Sequence, residues 1–266
     1  MKCIVCGGES TEIFQKNILQ KYPVKYYQCS NCKHLFTEEP HWLNEAYSSA
    51  ITQLDLGLLD RNILFREFFQ IIFHEMGFDG SNTFVDFAGG YGVFTRLMRD
   101  KGWDYFWQDD YCDNLYAKYF EAKKEKYTAV TAFEVFEHSW EPKKLLSRMF
   151  EYADIVFFST VVQPNIPPKE LFNWYYTEPL TGQHISFASE QSLQYLAKEF
   201  QATYFNHLSF HCFVRNQDSP RDPFLAFKRK GIAKLYHGFL RRMNHKPLVS
   251  KLASDHDEVK ALLRSI

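Results

Sequence analysis

Four of the six cysteines stand at matched spacing, as Cys3-Ile-Val-Cys6 and Cys29-Ser-Asn-Cys32, with twenty-two residues between the pairs. A Cys-x2-Cys turn puts two sulfurs on one side of a tight bend, and two such turns supply the tetrahedral thiolate set that zinc prefers. With cysteine at all four positions the site would be closed and structural. The alternatives are four reduced structural cysteines or two disulfides. The first residues, Met-Lys-Cys-Ile-Val-Cys, lack the apolar stretch of a secretory leader, so a reducing, cytoplasmic setting is expected and disulfides are disfavoured. Cys112 and Cys212 stand alone and read as small buried hydrophobes. His34, beside the second pair, reads as a surface histidine, the alternative being a residue that backs the metal ligands.

A second constellation is Asp86-Phe87-Ala88-Gly89-Gly90-Tyr91-Gly92. Glycines between a strand and a helix let backbone approach a nucleotide-like ligand closely. A dinucleotide loop needs Gly-x-Gly-x-x-Gly, and Thr95 occupies the third glycine position. The other pattern, acid-x-Gly-x-Gly-x-Gly, is that of an S-adenosylmethionine loop. It is met by Asp86, Gly90 and Gly92, with Ala88 at the first glycine. Seventeen residues beyond Gly92 comes Asp109, followed by Asp110; an acid at that strand end can accept both ribose hydroxyls. The ligand's ammonium needs an acceptor, which Asp86 or a loop carbonyl can supply. The third constellation is Phe133-Glu134-Val135-Phe136-Glu137-His138, together with His184 in Thr181-Gly182-Gln183-His184. Histidine titrates near neutral pH, so His138 and His184, with Glu137, are candidates to take a proton from an acceptor hydroxyl.

Elements must position these groups. Residues 1–40 form a ribbon carrying the cysteines, with a strand at Lys25–Gln28. Apolar spacing predicts helix over 41–78, a helical linker extending to residue 82. From residue 83 strand and helix alternate: strands at 83–87, 105–109, 127–133 and 155–159, helices at 93–101, 142–152 and 190–200. Ser189-Glu190-Gln191-Ser192 resembles a capping box. Residues 203–205 and 211–215 are expected to close the sheet as an antiparallel pair. The stretch 110–127 is short for a further strand and helix, leaving an abbreviated edge strand near Phe120-Glu121, where Glu121 is a candidate for the adenine side. The alternation predicts an α/β, Rossmann-like doubly wound sheet over 83–218, with a basic helical tail over 219–266.

Composition agrees with a folded chain: 45% hydrophobic and 24% charged residues over 266, which excludes a disordered polymer. No run of about 18 apolar residues exists, so a membrane-spanning helix is not expected. The net charge of −1 conceals a division. Residues 219–266 hold 11 Lys/Arg against 4 Asp/Glu, and the rest 20 against 28. The tail, with Lys228-Arg229-Lys230, Lys234, Arg241-Arg242 and Lys246 among apolar residues, is expected to pack on the core; the alternative is contact with an anionic membrane or a partner enzyme.

The glycine loop, Asp109 and the Phe133–Pro142 segment together resemble class I S-adenosylmethionine-dependent methyltransferases, whose Glu-His segment follows the corresponding strand. With the ribbon, Trp42–Tyr47, Asp60-Arg61-Asn62 and Gly182–Phe187, the chain is similar to zinc-ribbon methyltransferases of bacterial sugar and surface-polysaccharide pathways. The resemblance implies S-adenosylmethionine, held by Asp86, Gly89, Gly90, Tyr91, Gly92, Asp109 or Asp110, Phe133 and Glu134. It implies structural zinc on Cys3, Cys6, Cys29 and Cys32. It implies a cofactor and a fold but no substrate; the expected target is an oxygen, a sugar hydroxyl or a phosphoryl-type one, on a nucleotide-linked or glycan precursor. Arg61 could meet the cofactor carboxylate or a substrate phosphate, the favoured alternative being an exposed or salt-bridged arginine, and Trp174, Tyr175 and Tyr176 could form a stacking wall, the favoured alternative being core filling. Sugar C-methyltransferases of the group carry a large further C-terminal domain; here about 48 residues follow Asp218, so their mechanism is not carried over. An RNA methyltransferase is a weaker reading, because Phe133-Glu134-Val135-Phe136 stands where an RNA-base enzyme has Asn/Asp-Pro-Pro-aromatic. A cofactor-binding scaffold without turnover is the non-enzymatic alternative.

Overall fold

The computed structural model describes residues 1–47, 52, 54–229 and 248–264. The chain divides into two compact units. The first comprises Met1–Asp55, Phe133–Phe150 and Phe157–Gln217, the second Leu56–Ala132, Glu151–Val156 and Asp218–Ile266.

In the first unit, β1 (Ser10–Ile18) and β2 (Tyr22–Cys29) form an antiparallel hairpin. β2 turns Val24 and Tyr26 inward at period two, as a strand with one buried face must. β3 (Leu35–Thr37) pairs with β2 on one side and with β8 (Ser186–Phe187) on the other, so all three of its residues are buried. The resulting sheet, ordered β1-β2-β3-β8, builds a core of Ile18, Val24, Tyr26, Leu35, Trp42, Trp174, Tyr176, Ile185 and Phe187. The cysteine-bearing ribbon therefore shares its core with residues more than 140 positions away. α1 (Leu43–Ala46) contributes Ala46 to that core. α5 (Glu190–Glu199) opens with the expected capping box: the Ser189 hydroxyl accepts from the Ser192 N–H at 2.9 Å, and the Ser192 hydroxyl accepts from the Ser189 N–H at 2.9 Å. β9 (Ala202–His207) and β10 (Phe210–Arg215) pair antiparallel.

The second unit opens with α2 (Leu58–Glu75). The single helix expected over 41–78 is thus two, α1 and α2, with Gly57 immediately before α2. Glycine gives up the most backbone entropy in a helix, which weakens continuity there. β4 (Thr83–Phe87) lies between β5 (Asp104–Gln108) and β6 (Ala129–Phe133), parallel to both. Its flanked position buries four of its five residues, and the sequence Phe-Val-Asp-Phe is correspondingly near-continuous in burial rather than alternating. α3 (Val93–Asp100) follows β4 across the glycine turn. Beyond β5 the expected edge strand shrinks to one parallel bridge, Trp107 to Glu121, closed by bonds to Phe120 and Ala122.

Aromatic residues fill this unit. Phe73 stacks on Phe84 at 4.3 Å, Phe84 on Tyr105 at 5.3 Å, and Trp103 meets Phe73 edge-on at 5.2 Å. These rings give part of the chain's 18% aromatic content a physical role, as large buried faces between α2 and the strands. With α4 (Pro142–Tyr152) and β7 (Ile155–Ser159), the six-stranded sheet runs β5-β4-β6-β7-β10-β9, the expected parallel sheet with an antiparallel end. α6 (Leu225–Lys228) and α7 (Leu252–Arg264) carry the described part of the tail. Asp255 of α7 takes two bonds from the buried Arg99 guanidinium, at 2.8 and 2.7 Å, so this part packs on its own unit. Lys230, Lys234, Arg241, Arg242 and Lys246 lie outside the described residues. No helix among the described residues is long and apolar enough to cross a membrane.

Candidate functional site

The cysteine cluster is built by two knuckles of the ribbon. The four sulfurs lie within 4.8 Å of one another, Cys3 to Cys32 at 3.6 Å and Cys6 to Cys29 at 3.4 Å. A disulfide needs about 2 Å. A tetrahedron with metal–sulfur bonds of about 2.3 Å needs edges of roughly 3.8 Å, and the set fits it. Backbone N–H groups of Val5, Gly8 and Cys32 point at Cys3, Cys6 and Cys29 respectively at 3.4–3.5 Å. Such donors stabilise thiolate charge. Glycine suits position 8, since a Cβ there would sit a tight 3.2 Å from the Cys6 sulfur. The bond from Cys32 brings the Cys3 thiol down to about 5. The cluster could hold a metal ion.

The glycine loop belongs to the second unit. Asp86, the next-to-last residue of β4, is almost wholly buried, and its Oδ2 accepts from the Thr95 hydroxyl at 3.0 Å. Burial pushes its carboxyl up to about 7, and the Asp109 charge adds to this. Gly89 packs against Asp86: a Cβ there would lie 2.7 Å from the same Oδ2. Gly90 and Gly92 take φ +54° and +84°, and a Cβ on Gly92 would lie 2.8 Å from Asn114 Oδ1. Ala88 also has φ +54°, so the residue standing at the first glycine position keeps a glycine-like backbone at a cost of about 1 kcal/mol. Asp109 is drawn into the loop. Its Oδ2 accepts from Gly90 N–H at 2.9 Å, and its Oδ1 from Tyr111 and Cys112 N–H at 2.7 and 2.9 Å. Asp110 instead accepts from Gln108 at 2.8 Å. Tyr91 offers its carbonyl to the N–H groups of Leu115 and Tyr116. Glu121 accepts from Asn114 and from the Tyr119 N–H, which ties down the segment beside the loop.

The third constellation lies in the first unit. Phe133 ends β6, and Glu134 follows it with φ +54°, its N–H bonded to the Ser159 hydroxyl at 2.9 Å while that hydroxyl donates to Glu134 Oε1 at 2.6 Å. Glu137 is fully buried; Oε1 accepts from the Tyr176 hydroxyl at 2.7 Å, and Oε2 has no partner. Burial, and then the Glu134 charge, push Glu137 well above the usual carboxylate range. His138 donates from Nδ1 to the Gln183 carbonyl at 3.1 Å, and His184 from Nδ1 to the Tyr176 carbonyl at 2.7 Å. The two rings meet edge-to-face at 4.9 Å. Burial lowers His138 to about 3, with His184 adding to the effect, and burial lowers His184 as well, so both rings are neutral at pH 7. The segments around them converge: Trp42 Nε1 donates to the Gly182 carbonyl at 2.8 Å, Gln183 donates to the Ala46 carbonyl at 2.9 Å, and the Tyr47 ring stands 6.1 Å from His138.

The family profile described as a methyltransferase domain matches residues 61–206, more than half of the chain. The chain belongs to this family. It therefore carries a methyltransferase domain. Three methyltransferases are among the solved structures similar to it. CalO1, a methyltransferase in calicheamicin biosynthesis in an SAH-bound form, has 12% identity and a TM-score of 0.39, over 55% of this chain and 52% of that one. Magnesium protoporphyrin IX methyltransferase from Synechocystis with bound SAH has 12% identity and 0.41, over 65% and 93%. The plantazolicin methyltransferase BpumL with SAH has 10% identity and 0.41, over 60% and 85%. The matched part thus spans about half of CalO1's length. No curated protein matches the chain.

Within the methyltransferase domain, Asp86, Gly89, Gly90, Gly92 and Asp109 form one bonded loop, and Glu137, His138 and His184 form one cluster. Asp110 and Glu121 take other partners. Arg61 is half-buried on α2. Of the aromatic run, Trp174 and Tyr176 belong to the core while Tyr175 is 74% exposed, so it is not one wall. His34 is a correction. It is 3% exposed, between the hydroxyls of Ser186 and Ser192 at 3.1 and 3.4 Å, because β3 and β8 close over it. Cys212 is buried as expected, whereas Cys112 is only partly so. Thr95, Asn114 and Ser159 were missed. Thr95 had a signal: it interrupts the dinucleotide pattern where a hydroxyl is needed to bond Asp86. Asn114 and Ser159 act through folds of the chain that no spacing marks.

Proposed function

We propose that the protein is an S-adenosylmethionine-dependent O-methyltransferase. Its acceptor would be a sugar hydroxyl or phosphoryl-type oxygen of a nucleotide-activated or surface-polysaccharide precursor, and it would work in the cytoplasm. The observation that carries the reading is the loop after β4. There, glycines at left-handed φ and a buried acid stand in a chain whose family is that of methyltransferases. Asp86, Gly89, Gly90, Tyr91, Gly92, Asp109 or Asp110, Phe133 and Glu134 would hold the cofactor, Asp109 through the ribose. The bound cofactor supplies an electrophilic sulfonium methyl. An oxygen acceptor must lose a proton as it attacks, and a neutral imidazole whose Nδ1–H is tied to a carbonyl keeps its basic lone pair on Nε2. His184, with His138 beside it, is the proposed base; Glu137 and Tyr176 position the pair. Zinc on Cys3, Cys6, Cys29 and Cys32 would staple the ribbon.

A methyl-transfer assay against a panel of nucleotide-linked precursors, with RNA alongside, tests this. Transfer to a sugar or phosphoryl oxygen is the expected result. Methylation of RNA alone overturns the acceptor class, and absence of S-adenosylmethionine binding overturns the reading as a whole.

A further inference from the structure

Glu137, His138 and His184 have a second capacity, which draws on the same Nε2 lone pairs as proton transfer. One ligand atom from each lies within 4.8 Å of the others. The two histidines are held as metal-ligating histidines commonly are. Each ring gives its Nδ1–H to a backbone carbonyl, Gln183 for His138 and Tyr176 for His184, which fixes the tautomer and leaves the lone pair on Nε2. The carboxylate is held the same way: Tyr176 donates to Glu137 Oε1 at 2.7 Å and orients the group, while Oε2 is buried without any partner. An orphaned carboxylate oxygen in a dry interior is costly, and more so with a second carboxylate, Glu134, sharing Tyr176 as a neighbour at 3.4 Å. A divalent cation would satisfy the orphan and offset the paired negative charge together.

We propose that Glu137, His138 and His184 form a second metal site, distinct from the cysteine cluster, that takes one divalent transition ion of the zinc, cobalt or nickel kind. Two imidazoles and one carboxylate are borderline ligands that suit such ions and not magnesium or calcium, which want all-oxygen shells. Three protein ligands leave open positions, in contrast with the closed tetrathiolate. Bonds of about 2.1 Å in a tetrahedron require a spacing of roughly 3.5 Å, so the three atoms, now within 4.8 Å of one another, would have to close on the ion. Binding of the ion is independent of the function proposed above. Its use would depend on that function: a coordinated acceptor hydroxyl loses its proton more easily, the role otherwise left to a free imidazole.

The test is a cobalt(II) titration of full-length protein first given one equivalent of zinc, which the four thiolates take. Wild type is expected to bind one further equivalent, with the weak visible absorption of a nitrogen- and oxygen-ligated ion and no thiolate charge-transfer band. Glu137→Gln, His138→Ala and His184→Ala are each expected to weaken that equivalent by at least about 100-fold, since losing even a partner that only orients a ligand costs 10–100-fold. Retention of the zinc equivalent in each variant reports that it is folded, and His184→Gln serves if the alanine variant is not. No second equivalent in wild type, or a second equivalent that survives all the substitutions, overturns the proposal. The wild-type stoichiometry alone decides against it even if a variant fails to fold.

Discussion

The glycine loop and the Glu-His cluster each contain a buried carboxyl, and the two are handled differently. Asp86 is satisfied by Thr95, nine residues along the same strand-turn-helix, and by close packing of Gly89. Glu137 is held by Tyr176, thirty-nine residues away, and keeps one oxygen without a partner. The first arrangement is made by backbone shape over a short stretch. The second is made by side chains from separate segments that a shared core brings together. On the function proposed above, the loop would fix where a ligand lies and the cluster would supply polar groups for chemistry. The cysteine cluster is intermediate, since each knuckle is local but the two must be joined by the hairpin.

The largest effect is expected where side chains from distant segments depend on one another most. Cys29→Ser removes one corner of the tetrathiolate and is expected to lower stability by about 4 kcal/mol or more with loss of bound zinc, as removal of a structural metal site does. Denaturant unfolding with metal analysis checks this, and unchanged stability would show that the cluster is not a structural staple. In the Glu-His cluster, His184→Ala is expected to lower kcat by about 100- to 10,000-fold while cofactor affinity is retained. Equal loss of both would mean that the cluster supports the cofactor rather than the chemistry.

The loop should respond differently, through pH and backbone strain. The carboxyl of Asp86 is raised in the folded state from 3.8 to about 7, so the folded chain holds a proton that the unfolded chain has released between those values. Its contribution therefore falls as pH rises from 4 to 7 and is level above that, with a slope of no more than about 1.4 kcal/mol per pH unit. Asp86→Asn should remove that slope; urea titrations of both proteins across the window compare them. Gly92→Ala places a methyl 2.8 Å from Asn114 Oδ1 at a left-handed φ. It is expected to weaken S-adenosylmethionine binding by roughly tenfold, about 1.4 kcal/mol, measured by calorimetry. The smallest effect is a gain. Ala88→Gly relieves φ +54° and should stabilise by less than about 1 kcal/mol, the strain released being partly offset by added freedom in the unfolded chain. A destabilised Ala88→Gly protein would mean that the Ala88 methyl packs usefully.

Legibility in the sequence followed the same division. Asp86, Gly90, Gly92 and Asp109 could be read from spacing because strand, turn and helix are contiguous, and the six strands of the methyltransferase sheet were largely visible from their apolar runs. The capping serines were readable because a helix start is decided within four residues. The helix over 41–78 misled because its apolar period continues across a glycine that helices avoid. His34 misled because its burial comes from β8, 152 residues later, which nothing near it announces.

By itself, then, the sequence determined what local geometry decides: two paired knuckles of thiols, a strand-glycine-helix loop with its acids, and the order of strands and helices. Only the tertiary structure decided that the ribbon shares a core with Trp174, Tyr176 and Phe187, and that Trp42 and Gln183 bind across to Gly182 and Ala46. The sequence grouped Glu137, His138 and His184 as candidates, but only the tertiary structure decided how close their ligand atoms lie and that one carboxylate oxygen is left unpaired. The physical reason is range. Backbone dihedrals and short spacings act within a few residues, whereas desolvation, ring packing and the pairing of buried charges depend on which distant segments the core selects.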